Sequence, residues 1–155
     1  MTNVMLNAVV PNFTAVTTDN KTIQLTDYLG KNVVLYFYPK DNTPGCTQEA
    51  EDFRDNYPQF EALNTVIFGI SRDSVSSHDG FKCKYALPFD LISDGDETIC
   101  QLFDVLKPKN VYGKESIGIE RSTFLINAEG VLIHEWRKVK VDGHHLDVLE
   151  KISAI

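Results

Sequence analysis

Cys46, Cys83 and Cys100 are the side chains of this 155-residue sequence best suited to covalent chemistry. Cys46 follows the string Tyr36-Phe37-Tyr38-Pro39-Lys40-Asp41-Asn42-Thr43-Pro44-Gly45, which reads as a strand, a turn and the start of a helix. With Thr43 as N-cap, Pro44 takes the first helical position, which suits its fixed φ and missing donor. Cys46 then falls third in the helix. There, unpaired backbone N–H groups and the positive end of the helix dipole favour the thiolate, the nucleophilic form, over the thiol. The Thr43 hydroxyl can point over the same turn. Position alone leaves a second reading open, a helix start that carries a buried structural cysteine, because free cysteine is among the most buried residue types.

Other cysteine chemistries fit less well. A dithiol oxidoreductase needs Cys-x-x-Cys, and Glu49 stands where the second cysteine would be. A cysteine hydrolase needs a histidine base, and His78, His134, His144 and His145 match no hydrolase pattern. Zinc is disfavoured because the cysteines lie 37 and 17 residues apart, and the adjacent His144 and His145 point in different directions at a helix start. Both histidines read as caps or solvated groups. An odd number of cysteines in a chain large enough to fold unaided argues against a secreted disulfide framework and for a reducing compartment.

The elements that must position Cys46 follow from the apolar pattern. Val33 to Tyr38 is too continuous for a one-sided sheet, so it predicts a central strand covered on both faces, ended by Pro39. A helix is predicted from about Thr43 to Leu63, kinked or divided at Pro58. Thr65 to Ser71 reads as a second buried strand, about Ser74 to Tyr85 as a helix stopped by Leu87-Pro88, and Asp90 to Ile92 as a short strand before a short helix around Glu97 to Phe103. Ser122 to Ile126 and Val131 to Trp136 flank the turn Asn127-Ala128-Glu129-Gly130 as a hairpin, and His145 to Ile155 closes the chain as a helix. Strands separated by helices predict a three-layer α/β domain with a mixed sheet between helices.

No linker or repeat divides the sequence, so one domain is expected over 1–155. The formal net charge of −7 opposes binding to nucleic acid or an anionic membrane surface, and no apolar run is long enough to span a bilayer. A soluble cytoplasmic protein is expected.

The pattern Pro39-x-x-x-Thr43-x-x-Cys46 resembles the active-site motif of the peroxiredoxins, and the resemblance extends over nearly the whole chain. Tyr36-Phe37-Tyr38-Pro39-Lys40, Thr43-Pro44-Gly45-Cys46-Thr47, Glu49-Ala50 and Phe53-Arg54-Asp55 are similar to the subgroup called bacterioferritin comigratory protein or peroxiredoxin Q. Arg121-Ser122-Thr123-Phe124-Leu125-Ile126 resembles its arginine-bearing strand. The resemblance implies a thioredoxin-like fold and reduction of hydrogen peroxide and alkyl hydroperoxides. It further implies a monomer, no metal or organic cofactor, and electrons from thioredoxin or a similar dithiol protein. By the same resemblance Cys46 is the peroxidatic nucleophile, Thr43 and the Cys46 N–H hold the peroxide oxygens, Arg121 stabilises thiolate and transition state, and Pro39 shields the site. Glu49, one turn after Cys46, is a candidate to orient Arg121 or a solvated carboxylate.

One departure matters for turnover. Many members of the subgroup carry a resolving cysteine five residues after the first, and Glu51 stands there. Other members carry it in the next helix, at a place that matches the stretch around Cys83, between Lys82 and Lys84. Cys83 is therefore the implied resolving residue, with Cys100 read as a buried hydrophobe among apolar neighbours. Two alternatives remain open: a one-cysteine peroxidase recycled by an external thiol, and a non-enzymatic thioredoxin-fold binding or holdase protein.

Overall fold

The computed structural model describes residues 4–155. Its centre is a seven-stranded sheet formed by β1 (Thr14–Thr17), β2 (Lys21–Gln24), β3 (Asn32–Phe37), β4 (Thr65–Ser71), β5 (Leu91–Ser93), β8 (Ser122–Ile126) and β9 (Leu132–Trp136). The spatial order is β2-β1-β5-β4-β3-β8-β9. β3, β4 and β5 run parallel and every other neighbouring pair is antiparallel, so the sheet is mixed. The helices are α1 (Pro44–Asp55), α2 (Tyr57–Ala62), α3 (Val75–Tyr85), α4 (Thr98–Leu102) and α5 (His144–Ser153).

β3 shows why its sequence is an unbroken apolar run. Val33, Leu35 and Phe37 point into a core shared with α4 residues Ile99, Cys100 and Leu102, whereas Val34, Tyr36 and Tyr38 point into the core beneath α1, α2, α3 and α5. Both faces are covered, so both sets of alternate side chains are apolar. On the second face Phe53 of α1 is fully buried and stacks on Tyr36 with ring centroids 4.8 Å apart. Emptying that position would cost about 3–5 kcal/mol.

The predicted helix from Thr43 to Leu63 is two helices, broken at Asn56, with Pro58 in the first turn of α2 where it needs no partner for a missing donor. The strands β3 and β4, the α3 helix and the β8–β9 hairpin lie within a residue or two of their sequence boundaries. Two hairpins went unread. β1 and β2 are short and joined through Asp19 and Asn20 at positive φ, and β6 (Leu106–Val111) pairs with β7 (Lys114–Ile119) in a separate ribbon. The ribbon carries Pro108 and several lysines, and its turn at Tyr112-Gly113 places both residues at positive φ. No helix among the described residues is long and apolar enough to cross a membrane.

Candidate active site

β3 delivers the chain into the site. After Phe37 the backbone turns through Lys40-Asp41-Asn42, with Asn42 in the left-handed region that asparagine tolerates, and enters α1 at Pro44. Thr43 is the N-cap in extended backbone, but its hydroxyl donates to the Lys40 carbonyl oxygen at 2.8 Å and caps no amide. Pro39 is half-buried beside the turn. Cys46 is the third residue of α1 and only 1% exposed. No protein acceptor among the described residues meets the N–H of Gly45 or Cys46, so the first-turn donors remain free for an anion or a polar ligand.

Arg121 lies over this helix start. Its Nη2 donates to Cys46 Sγ at 3.4 Å and its Nη1 to Glu49 Oε1 at 2.6 Å. A Cβ on Gly45 would meet Arg121 Nη2 at 3.3 Å, so glycine gives the guanidinium room against the first turn. Glu49 is not the solvated carboxylate that its helix position allows. It is buried, and burial pushes its carboxyl up to about 7 even though Arg121 acts the other way. Its second oxygen, Oε2, has no protein partner among the described residues, which suits a carboxyl that keeps its proton to unusually high pH. The structure thus brings together Cys46, Arg121 and Glu49, with Thr43 and Pro39 at the rim.

Lys109 on β6 approaches the same group, a residue the sequence did not single out. Burial, then Arg121 and Arg72, hold its ammonium below the ordinary lysine range, while Cys46 acts in the opposite sense. Arg72 donates to the Ile117 carbonyl oxygen at 3.2 Å, tying the β6–β7 ribbon to the chain just after β4.

A second buried cluster lies beneath the turn. His78 of α3 is fully buried, with Nδ1 2.7 Å from Asp41 Oδ2 and Nε2 2.9 Å from the Ile92 carbonyl oxygen. Both ring nitrogens therefore have a polar partner, so the buried ring is fixed from two sides. Tyr38 donates to Asp41 Oδ1 at 2.6 Å and Ser77 to Oδ2 at 2.8 Å. Burial would raise the Asp41 carboxyl, but the His78 and Tyr38 hydrogen bonds prevail and hold it below its usual value. Asp41, Asp73 and His78 come close enough to suggest metal ligation. Their facing atoms are already spent on one another and on Ser71 and the Asp41 N–H, so the cluster is an internal network. A buried pair formed across 37 residues leaves no local signal in the sequence.

The other cysteines are elsewhere. Cys83 is exposed on α3 as a free thiol and does not join the Cys46 group. Its flanking lysines do not serve it: Lys82 pairs with Asp90 at 2.7 Å and Lys84 lies over the Tyr85 ring. Cys100 is fully buried, and burial with the Asp94 carboxylate pushes its thiol well above the ordinary value. His144 corrects the expectation of a solvated or capping group. It is buried, 2.8 Å from Thr123 Oγ1, and burial holds it down at about 4. A groove of about 770 Å³ between β1 and α4 includes none of the Cys46 group, so charge and not volume marks the site.

The AhpC/TSA family model matches residues 6–135. The chain is similar to Peroxiredoxin Bcp of Bacillus subtilis, 54% identical over 133 residues covering 86% of this chain and 85% of the relative. It is also similar to Peroxiredoxin Bcp of Xanthomonas campestris, 53% identical over 130 residues covering 84% and 81%. Among solved structures it resembles the Xanthomonas campestris bacterioferritin comigratory protein described for its alkyl peroxide reduction activity. The TM-score is 0.88 at 48% identity, covering 92% of this chain and 90% of that one. Xylella fastidiosa PrxQ gives a TM-score of 0.93 at 42% identity over 99% and 98%.

Proposed function

The chain belongs to the AhpC/TSA family and is a thiol peroxidase of the peroxiredoxin Bcp group, and from that premise we propose how its own residues carry the reaction. The Cys46 thiolate attacks one oxygen of hydrogen peroxide or an alkyl hydroperoxide. An S–O bond forms and the O–O bond breaks, leaving Cys46 as a sulfenic acid. The departing alkoxide or hydroxide takes a proton and leaves as alcohol or water. Arg121 stabilises both the thiolate and the negative charge that develops on the leaving oxygen, because its donors are already aimed at the sulfur before substrate arrives. The Cys46 N–H and the Thr43 hydroxyl hold the peroxide oxygens in line, Pro39 keeps bulk water off the sulfur, and Glu49 orients Arg121.

Resolution uses Cys83. Its thiolate attacks the Cys46 sulfenic sulfur, an S–S bond forms, the S–O bond breaks, and hydroxide leaves as water after protonation. Thioredoxin or a similar dithiol protein then reduces the disulfide. The protein works as a cytoplasmic monomer. The observation that carries this reading is the Arg121 contact to Cys46 Sγ at 3.4 Å, held from behind by Glu49.

Peptide mapping after peroxide treatment without reductant tests the scheme. A Cys46–Cys83 disulfide with Cys100 reduced is expected. Cys83→Ser should preserve the first turnover and lose nearly all thioredoxin-supported cycling. Normal cycling of that variant would favour the one-cysteine reading. Peroxide turnover by the wild type separates either peroxidase scheme from a holdase.

A further inference from the structure

We propose that the buried His78–Asp41 pair is the anchor for resolution, holding the first turn of α3 on the Cys46 loop while the rest of the helix unwinds and carries Cys83 to Cys46. This rests on the reading of Cys83 as the resolving thiol. A disulfide requires Cα atoms within about 7 Å, and Cys83 sits on a separate helix outside the Cys46 group, so part of a helix must open. The placement of buried groups says which part.

α3 buries only two side chains, His78 and Phe81. The first is fixed by directional bonds. His78 meets Asp41 at 2.7 Å and the Ile92 carbonyl at 2.9 Å, Ser77 adds a bond to Asp41, and the His78 N–H closes on the Ser74 carbonyl at 3.0 Å. Asp41 is held in turn by Tyr38 and, through its own N–H, by Asp73. Separating His78 from Asp41 would strand two buried polar groups, which is among the costliest local disruptions.

Beyond His78 the helix is weaker. Gly80, a poor helix former, sits between the two buried residues, and a Cβ there would meet nothing within 4 Å, so packing does not demand glycine. Phe81 is held only by apolar contact, which is non-directional. Lys82 is held by a half-exposed ion pair to Asp90, and the Tyr85 carbonyl by Arg54 at 2.9 Å. The helix ends on Ala86 at φ 51, a left-handed conformation that disfavours alanine. Opening from Gly80 onward breaks the backbone bonds of the last turns, the cap and the part-exposed bonds of Lys82 and the Tyr85 carbonyl, all groups that water can re-satisfy. It strands no fully buried polar side chain and relieves a strained cap.

The spacing makes the anchor useful. Asp41 lies five residues before Cys46, and His78 lies five residues before Cys83. Five residues span about 7.5 Å as helix and up to roughly 17 Å when extended. With the pair intact the two thiols are joined through ten residues instead of 37 along the chain. Loop-closure scaling makes that shorter connection about sevenfold more probable to close.

His78→Gln keeps a donor for Asp41 and removes the ring that reaches both Asp41 and the Ile92 carbonyl. Cys46 oxidation in a single turnover should stay within about twofold of wild type. Cys46–Cys83 disulfide formation, followed by acid quench and mass spectrometry, should slow about fivefold or more on the same loop-closure grounds, with more Cys46 overoxidised. A structural role alone would not split the two steps. In case the variant fails to fold, hydrogen exchange on the reduced wild type provides the second measurement. The His78 amide should open only with the core, and the Lys82 to Tyr85 amides through a cheaper, separate event. Unchanged or faster disulfide formation in His78→Gln overturns the anchor, as does exchange of the His78 amide in the same event as Lys82 to Tyr85. No Cys46–Cys83 disulfide in wild type overturns the Cys83 reading, and the anchor with it.

Discussion

Cys46 and Cys100 occupy the same place on two different helices. Each is the third residue of its helix, and each is buried to 1% exposure or less. Each also has a carboxylic acid close by. At α1 the acid is Glu49, and Arg121 bridges it to the sulfur. At α4 the acid is Asp94, whose oxygens accept the N–H groups of Ile99 and Cys100 at 3.1 and 2.7 Å. The free donors of one helix start face open to a ligand, and those of the other are consumed by a protein anion. Position at a helix start is thus shared by both thiols. The sign of the charge brought over that helix end is what separates them.

Removing the cation strains this comparison most. Arg121→Ala is expected to slow the oxidation of Cys46 by peroxide about 10²-fold, the size of losing one preorganised charged donor. Stopped-flow single-turnover measurement reads it directly. A rate close to wild type would mean that the α1 start activates Cys46 without help.

The reverse experiment acts on α4. Asp94→Ala leaves two buried N–H groups without their acceptor and should cost about 1–3 kcal/mol in urea unfolding. Peroxide consumption should be unchanged, because among the described residues no hydrogen bond joins Asp94 to Cys46, Glu49 or Arg121. If Asp94→Ala lowered the peroxidase rate at full folding, the separation of the two helix ends would be false.

How much of this was legible beforehand follows the same line. The position of Cys46 is local information, carried by β3, the turn and Thr43-Pro44-Gly45, and the strand and helix that frame it were readable from apolar period and proline. Arg121 was readable only through resemblance, since a single arginine 75 residues from Cys46 has no spacing to betray it. The helix position of Glu49 is compatible with either an orienting or a solvated carboxylate, and its burial decides between them. Asp41 beside His78 carries no local signal because a pair 37 residues apart is made by topology, here by β3, β4 and β5 placing their C-terminal loops side by side. Asp94 is different: it lies only six residues before Cys100, and its role as acceptor for the α4 start is local information that the apolar pattern around Cys100 does not reveal. The β6–β7 ribbon was missed for want of apolar alternation, and with it Lys109.

The smallest effect sharpens the comparison through the acids and bases around Cys46 alone. Glu49 is raised from 4.5 to about 7, chiefly by burial. Its contribution to stability is fully present below about 4.5 and is lost as pH rises through 7, because the folded state then holds a proton that the unfolded state has released. His144 is lowered from 6.5 to about 4, again chiefly by burial. Its contribution is present above about 6.5 and is lost as pH falls through 4. Over the interval from 4.5 to 6.5 the two slopes oppose each other. Relative to wild type, Glu49→Gln should therefore gain melting temperature as pH rises from 4.5 to 7, and His144→Asn should gain as pH falls from 6.5 to 4. Scans of both variants against wild type across this range measure it. A Glu49→Gln curve that runs parallel to wild type would mean that Glu49 is ionised throughout, and that the acid beside Cys46 differs from Asp94 in partner only and not in charge.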